Sequence, residues 1–378
     1  MGGLTLSTTL LTNHGTKFMK TKWRGTKTLT LSIVLAVSGL YGGWTIIRDL
    51  PIYQKSFGIH PRHAETSRPA VYLESGDDST ITAAIQGLPP EGGIIVLGPT
   101  LFPVSKPIVI DRDGVEIRGA GTDSILRLTD GANCSVIVIG STTTPIPRIT
   151  RDVAVRHVAV DGNRGAQEYE CCGGHCDGGG LTLIRNNGIT IRGAEDIRIE
   201  NVATHNSRSG GIVLEKYCRR VHIKQLDSYN NEFDGLAAYE TEDCVFTQMK
   251  LHHNRSAAIS LDWKFNRNIV SDSVLSENGS QGIFMRDASE NEFKSLMIRD
   301  NGEQGIFMAE TREIPNTPCL RNRFDQLTVT GNKTQGIRVN DPSCIGNIVS
   351  RSNFAGNGLE NISLADAGQL IGAETAVP

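Results

Sequence analysis

Aromatic residues are scarce in this chain: phenylalanine, tryptophan and tyrosine make up 6% of 378 residues, and hydrophobic residues of all kinds 38%. A thick globular core is poorly served by such a mixture. Positive charge is not in excess either. Lysine and arginine number 38 against 41 aspartates and glutamates, a formal net charge of −3 with a pI near 6.3, which argues against nucleic acid as a partner. Long apolar runs are rare. No frame of leucines at fixed offsets with an Asn or Cys between them holds along the chain, so a leucine-rich repeat is excluded. What is abundant is glycine, 41 residues, which suits thin coils with many corners.

One phrase recurs from Asn206 to Asp341: an Asn, a short spacer, a Gly or Ala, then alternating apolar positions. The Gly or Ala stands at 211, 235, 258, 282, 305 and 336, giving steps of 24, 23, 24, 23 and 31. The last step carries an insertion around Ile314 to Pro318. Each period holds strand-like runs separated by turns, as in Phe293 to Ile298, Asp300-Asn301-Gly302 and Ile306 to Met308. A strand-containing period of this size predicts a solenoid, and its content an all-β, right-handed parallel β-helix. Equivalent residues of successive coils then stack at about 4.8 Å. Ile212, Leu236, Ile259, Ile283, Ile306 and Ile337 are expected to form one interior ladder; Leu214, Ala238, Leu261, Met285, Met308 and Val339 form a second. Asn231, Asn254, Asn278, Asn301 and Asn332 form a corner ladder of side-chain amides.

Before the repeats, residues 1–27 read as a basic leader and Thr28 to Ile47 as an uncharged run long enough to cross a bilayer. Lys17, Lys20, Lys22, Arg24 and Lys27 precede it, so everything after Arg48 is expected on the exported side. The run is either a signal-anchor that holds the protein in the membrane or a signal cleaved near Ala36-Val37-Ser38, which would release it. Residues 48–75 read as a linker, Thr80 to Leu88 as a short helix closing the first coil, 76–365 as the β-helix domain, and 366–378 as a tail.

Gly92 to Leu97, Lys106 to Ile110 and Val115 to Gly121, followed by the repeats, resemble the first coils of the pectate-lyase-like superfamily. The resemblance covers about residues 76–365 and implies the fold; the superfamily's reactions include lyase, hydrolase and epimerase chemistry.

Eight cysteines are present. Export would permit disulfides. Cys319 and Cys344 each precede an Asn-x-apolar step by three residues, so they are expected one coil apart and bonded. Cys218 and Cys244, slipped by about two residues, are a second expected pair. Cys171-Cys172-Gly173-Gly174-His175-Cys176-Asp177 is read as a disulfide-bonded loop, internally or with Cys134, ahead of a zinc site. His175 and Asp177 are candidate substrate-binding residues because their loop is the longest excursion among the coils.

Alternation along the repeated strand places Glu215, Tyr239, Asp262, Arg286, Ala309 and Asn340 outward, followed by Lys216, Glu240, Trp263, Asp287, Glu310 and Asp341. Asp234 and Lys264 lie at the margin. Such a patch suits a sugar: an aromatic lies on the ring, and charged groups bind carboxylates or move protons. In one mechanism Arg286 or Lys264 neutralises a uronate carboxylate and Tyr239 or Lys264 removes the adjacent ring proton, giving lyase or C5-epimerase chemistry. In another, two carboxylates among Asp234, Glu240 and Asp262 hydrolyse a glycoside. The catalytic candidates are therefore Tyr239, Asp262, Arg286, Lys264 and Asp234; Glu215, Glu240, Trp263 and Asp287 are substrate-binding candidates. No cofactor is expected, Ca²⁺ on the carboxylates being the one alternative.

Gly211 to Val270, with Asp234-Gly235 and the Asn-rich corners, is similar in framework to the β-helix module of mannuronan C5-epimerases. Those modules carry Asp-Pro-His-Asp/Glu at the strand occupied here by Val213-Leu214-Glu215-Lys216, where neither Pro nor His stands. The aspartate, His and Arg-x-Lys pattern of polygalacturonases is absent as well. The expected function is an exported β-helix enzyme acting on an acidic polysaccharide by lyase or epimerase chemistry, with a glycoside hydrolase or a non-catalytic carbohydrate-binding β-helix as alternatives.

Overall fold

The structure is a computed structural model describing residues 68–168, 184–312 and 315–372. The leader, the apolar run Thr28 to Ile47, His175, Asp177 and Cys171, Cys172 and Cys176 lie outside these residues. Among the described residues no helix is long and apolar enough to cross a membrane.

Strands stack coil on coil into three parallel sheets of 17, 10 and 6 strands. The 10-stranded sheet runs from Ile108–Ile110 through Ile212–Glu215 to Ile362–Leu364. Its first interior ladder has the expected register, Ile212↔Leu236↔Ile259↔Ile283↔Ile306↔Ile337. It continues upstream through Ile189, Ile137 and Ile108. The second ladder, Leu214 to Val339, is equally in register, and both are buried.

The expected asparagine ladder is present. Each buried side chain donates to the Oδ1 of the next, from Asn231 through Asn254, Asn278, Asn301 and Asn332 to Asn357, at 2.9–3.0 Å. A second ladder, Asn268, Asn291, Asn322 and Asn347, holds the opposite corner. The 17-stranded sheet bends within each coil at a non-glycine residue of positive φ, including His157, Asn201, Gln225, Gln248, Asp272, Ser295 and Gln326. The kinks are thus placed by coil packing, which outweighs the local preference for Gly or Asn.

The helix spans Asp78–Gly87, one or two residues earlier than expected, because Asp77 is its N-cap: its carboxylate accepts from the Thr80 amide and Thr80 returns the bond, a capping box. Ile81 and Ile85 are in the core, and the helix packs against the strands Gly93–Leu97, Leu101–Val104 and Ile108–Ile110.

Two boundaries need correction. Ala70–Leu73 is a strand paired with Ile94–Leu97, so the linker ends earlier than residue 75. Leu370–Ile371 pairs with Asn347–Ile348, so the coils run past residue 365.

The expected Cys319–Cys344 and Cys218–Cys244 disulfides are not formed. Cys134, Cys218, Cys244, Cys319 and Cys344 are free thiols. Cys319 and Cys344 are in the register read from the sequence, 25 residues apart like Asn322 and Asn347. The two side chains stand side by side and hydrogen-bond each other through their sulfurs, without an S–S bond between them. Instead the Cys319 amide donates to Cys344 Sγ at 3.4 Å, and Cys319 Sγ to the Ala309 carbonyl at 3.4 Å. Cys244 stands in the coil position of Val221, whose amide donates to its sulfur at 3.2 Å, three residues past Cys218. Cys218 bonds the Ile191 carbonyl at 3.3 Å.

Candidate functional site on the ten-stranded sheet

The outward face of the 10-stranded sheet carries two columns. The first follows the middle of each strand: Thr190, Val213, Ala237, Ser260, Phe284, Phe307 and Arg338. The second follows the strand ends, with pairings Arg192↔Glu215, Tyr239↔Asp262 and Arg286↔Ala309. Glu215, Tyr239, Asp262 and Arg286 are thus brought together as expected.

Trp263, Glu240, Asp287 and Lys216 are not on that face. Their φ values are 49°, 48°, 43° and 59°, the left-handed conformation in which the chain turns out of the strand. Alternation ends one residue before them. Lys264 is exposed beyond the same turn and, with Tyr217, Arg219, Glu240 and Glu242, borders a separate hollow of about 200 Å³. The Lys264 amide donates to Asp287 Oδ2 at 3.0 Å, and Lys216 Nζ lies 3.9 Å from Glu240 Oε1. Lys264 therefore leaves the list of bases, and Trp263, Glu240 and Asp287 that of groups facing a substrate on the sheet.

Three groups around Tyr239 have altered acidity. Asp234, just before the strand Leu236–Tyr239, accepts from the Ala257 amide at 2.9 Å, and its carboxyl is pushed up to about 6 by burial, against the hydrogen bonds from Ser256 and Ala257. The Tyr239 phenol is pushed above its ordinary range by burial, and then by the charges of Asp234 and Asp262, while bonding to Ser260 pulls it back. Glu215 is raised by burial and pulled back chiefly by Arg192. Near neutral pH this leaves a carboxylate poised to take a proton beside a phenol that holds one.

Arg192 was missed in the sequence. It is fully buried, with Nε 3.1 Å from Glu215 Oε1 and Nη2 donating to Thr144. The signal was available: Gly188 precedes Gly211 by 23 residues, so the repeat extends one coil upstream and puts Arg192 directly before Glu215 in the column. Arg185 was also missed. Its guanidinium lies 5.8 Å from the Phe233 ring centroid, and its charge acts on Glu215 and Tyr239.

A hollow on this face begins two strands beyond Tyr239. Arg286, Phe307, Glu310, Asn316, Asn340 and Asp341 border about 300 Å³, Asn316 coming from the coil that is lengthened to 31 residues. Phe284 and Phe307 stack at 5.5 Å between ring centroids, and the Arg286 guanidinium sits 4.7 Å from the Phe284 centroid.

Residues 181–354 match the family model described as right handed beta helix region. The protein is a right-handed parallel β-helix. Among solved structures it is similar to ORF18 of Geobacillus virus E2, with a TM-score of 0.57, 13% identity, and coverage of 78% of this chain and 60% of that one. It therefore spans less than two thirds of that phage protein. The endo-xylogalacturonan hydrolase of Aspergillus tubingensis aligns with a TM-score of 0.53, 11% identity, and coverage of 80% and 94%. The A-module of the Azotobacter vinelandii mannuronan C-5 epimerase AlgE4 aligns with a TM-score of 0.45, 15% identity, and coverage of 79% and 98%. No curated protein sequence matches this chain.

Proposed function

We propose that the protein is an exported enzyme that acts on an acidic polysaccharide laid along the 10-stranded face, abstracting a proton next to a uronate carboxylate. The observation that carries this reading is the placement of Tyr239 beside Asp262 on a face that also holds Glu215 and Arg192, with Asp234, raised to about 6, near enough for its charge to act on the phenol. In the proposed reaction Asp234 takes the ring proton at C5. Tyr239 then donates its proton, either to the leaving glycosidic oxygen, which cleaves the chain, or back to C5 from the opposite side, which inverts it. Arg192 holds Glu215 as an ion pair and so fixes the charge beside the phenol. Export rests on the basic flank and apolar run of residues 17–47, which either anchor the protein in the membrane or release it after cleavage. Among the described residues no group of three or more His, Cys, Asp or Glu could hold a metal ion, and the proposal routes no step through Ca²⁺.

The test is incubation with a panel of uronate and neutral polysaccharides, following ultraviolet absorbance of unsaturated products and reducing ends. Absorbance gained on a uronate polymer and lost in Asp234→Asn is the expected outcome for a lyase. An epimerase would leave both signals flat and change the polymer's NMR spectrum. Reducing ends without absorbance would replace proton abstraction by hydrolysis, with Asp234 and Asp262 as the carboxyl pair.

A further inference from the structure

We infer that the hollow between Arg286 and Asn316 is a subsite that binds the carboxylate of a neighbouring sugar through Arg286, apart from the groups that react. The inference rests on the polysaccharide reading above and adds where the second sugar sits.

Arg286 is anomalous among the partly buried arginines. Arg156, Arg164, Arg198 and Arg208 each face a carboxylate within 4 Å. Arg286 has no ion pair or hydrogen bond among the described residues, and its buried Nε has no acceptor. Its one contact of note is the face of Phe284. The carboxylates bordering the same hollow do not answer it. Glu310 is occupied by neutral donors, Asn316 Nδ2 at 2.7 Å and Ser343 Oγ at 2.8 Å. Asp341 Oδ2 accepts from the Glu310 amide at 3.0 Å and Asn340 Nδ2 at 3.3 Å. A guanidinium is thus held in place by an aromatic ring, partly removed from water, with its fork unfilled. That arrangement is costly without an anion and suits a planar carboxylate, which the fork binds through two parallel hydrogen bonds.

The surroundings select the anion's carrier. About 300 Å³ is at the small end of the range for ligand sites. The amides of Asn316 and Asn340 and the carboxylates of Glu310 and Asp341 are groups that bond sugar hydroxyls. Phe307 adds an apolar group to the lining. Tyr239 and Arg286 are two strands apart in one column, about 10 Å, so a chain running along the sheet meets the phenol first and the guanidinium next. Asn316 belongs to the lengthened coil, and the other coils of the repeat, with steps of 23 or 24, have no counterpart of it.

The test uses the full-length protein and titration calorimetry with oligogalacturonate, oligomannuronate and their carboxyl-reduced neutral counterparts. Wild type is expected to bind at least one uronate oligomer about 10- to 100-fold more tightly than its reduced form. Arg286→Gln should erase that preference, bringing the uronate down to the neutral affinity, and Asn316→Ala should weaken both. A thermal unfolding midpoint for Arg286→Gln equal to or above wild type shows that the loss is not one of folding. Uronate binding unchanged in Arg286→Gln, or no preference in wild type, overturns the subsite while leaving the polysaccharide reading in place. No binding of any oligosaccharide overturns both.

Discussion

Asp234→Asn is expected to abolish turnover and, at neutral pH, to make the folded protein more stable. The two effects come from one cause. Burial raises the Asp234 carboxyl from an ordinary 3.8 to about 6, so the folded state holds its proton more tightly than the unfolded chain does. Below pH 3.8 both states are protonated and the group contributes nothing. Between 3.8 and about 6 the unfolded chain releases the proton first, so wild-type stability falls as pH rises; above about 6 the whole deficit is present. A shift of about two pH units corresponds to roughly 3 kcal/mol as an upper bound. Asparagine retains the acceptor for the Ala257 amide, so the variant should remove the deficit without breaking that bond. The expected signature is a higher denaturation midpoint than wild type at pH 7.5 and equal midpoints near pH 3.5. A stability gain that does not depend on pH would contradict the burial argument.

Asn278→Ala is expected to cost about 3–5 kcal/mol. Its amide donates to the Leu251 and Ser276 carbonyls at 3.1 Å each and to Asn301 Oδ1 at 2.9 Å. Its oxygen accepts from the Asn254 amide at 3.1 Å and Asn254 Nδ2 at 3.0 Å. Asn278 is 2% exposed, so water cannot reach the partners that alanine would orphan. The ladder couples coils, and its middle should cost more than its end. Asn357, only partly buried in the last rung, accepts from Asn332 and bonds Asn361 within its own coil; Asn357→Ala is expected to cost about 1–2 kcal/mol. Denaturant midpoints of both variants decide. Equal losses would mean that each asparagine acts only within its own coil.

The interior ladders and the Asn231 to Asn332 corner were legible because a solenoid repeats its constraint: every coil must turn, and every coil must fill the same interior volume. The repeat also gave the correct register for Cys319 and Cys344. Register placed the two sulfurs side by side but could not say whether they are bonded or remain thiols. The column Glu215, Tyr239, Asp262 and Arg286 was read correctly by counting from the interior ladder. The count failed one residue later, at Lys216, Glu240, Trp263 and Asp287, because nothing in those side chains marks a left-handed turn that coil packing imposes. Phe284 and Phe307 were passed over because the outward middle position lies within an apolar triplet, Ile283-Phe284-Met285, where only alternation separates it from the core. The raised acidity constants of Asp234 and Tyr239 were out of reach, since both depend on burial contributed by neighbouring coils.

The central claim is that this face removes a proton from a uronate ring. The most direct measurement is proton NMR of polyuronates incubated with wild type and Asp234→Asn in D₂O, since loss of the C5 proton reports abstraction in both cases: deuterium replaces it on inversion, and on cleavage C5 carries no hydrogen in the C4=C5 double bond. The account predicts loss of the C5 proton signal on at least one polyuronate with wild type, in the intact chain for inversion or in the unsaturated product for cleavage, and none with Asp234→Asn. Full retention of that signal on every polyuronate with wild type, or its loss undiminished in the variant, would contradict it.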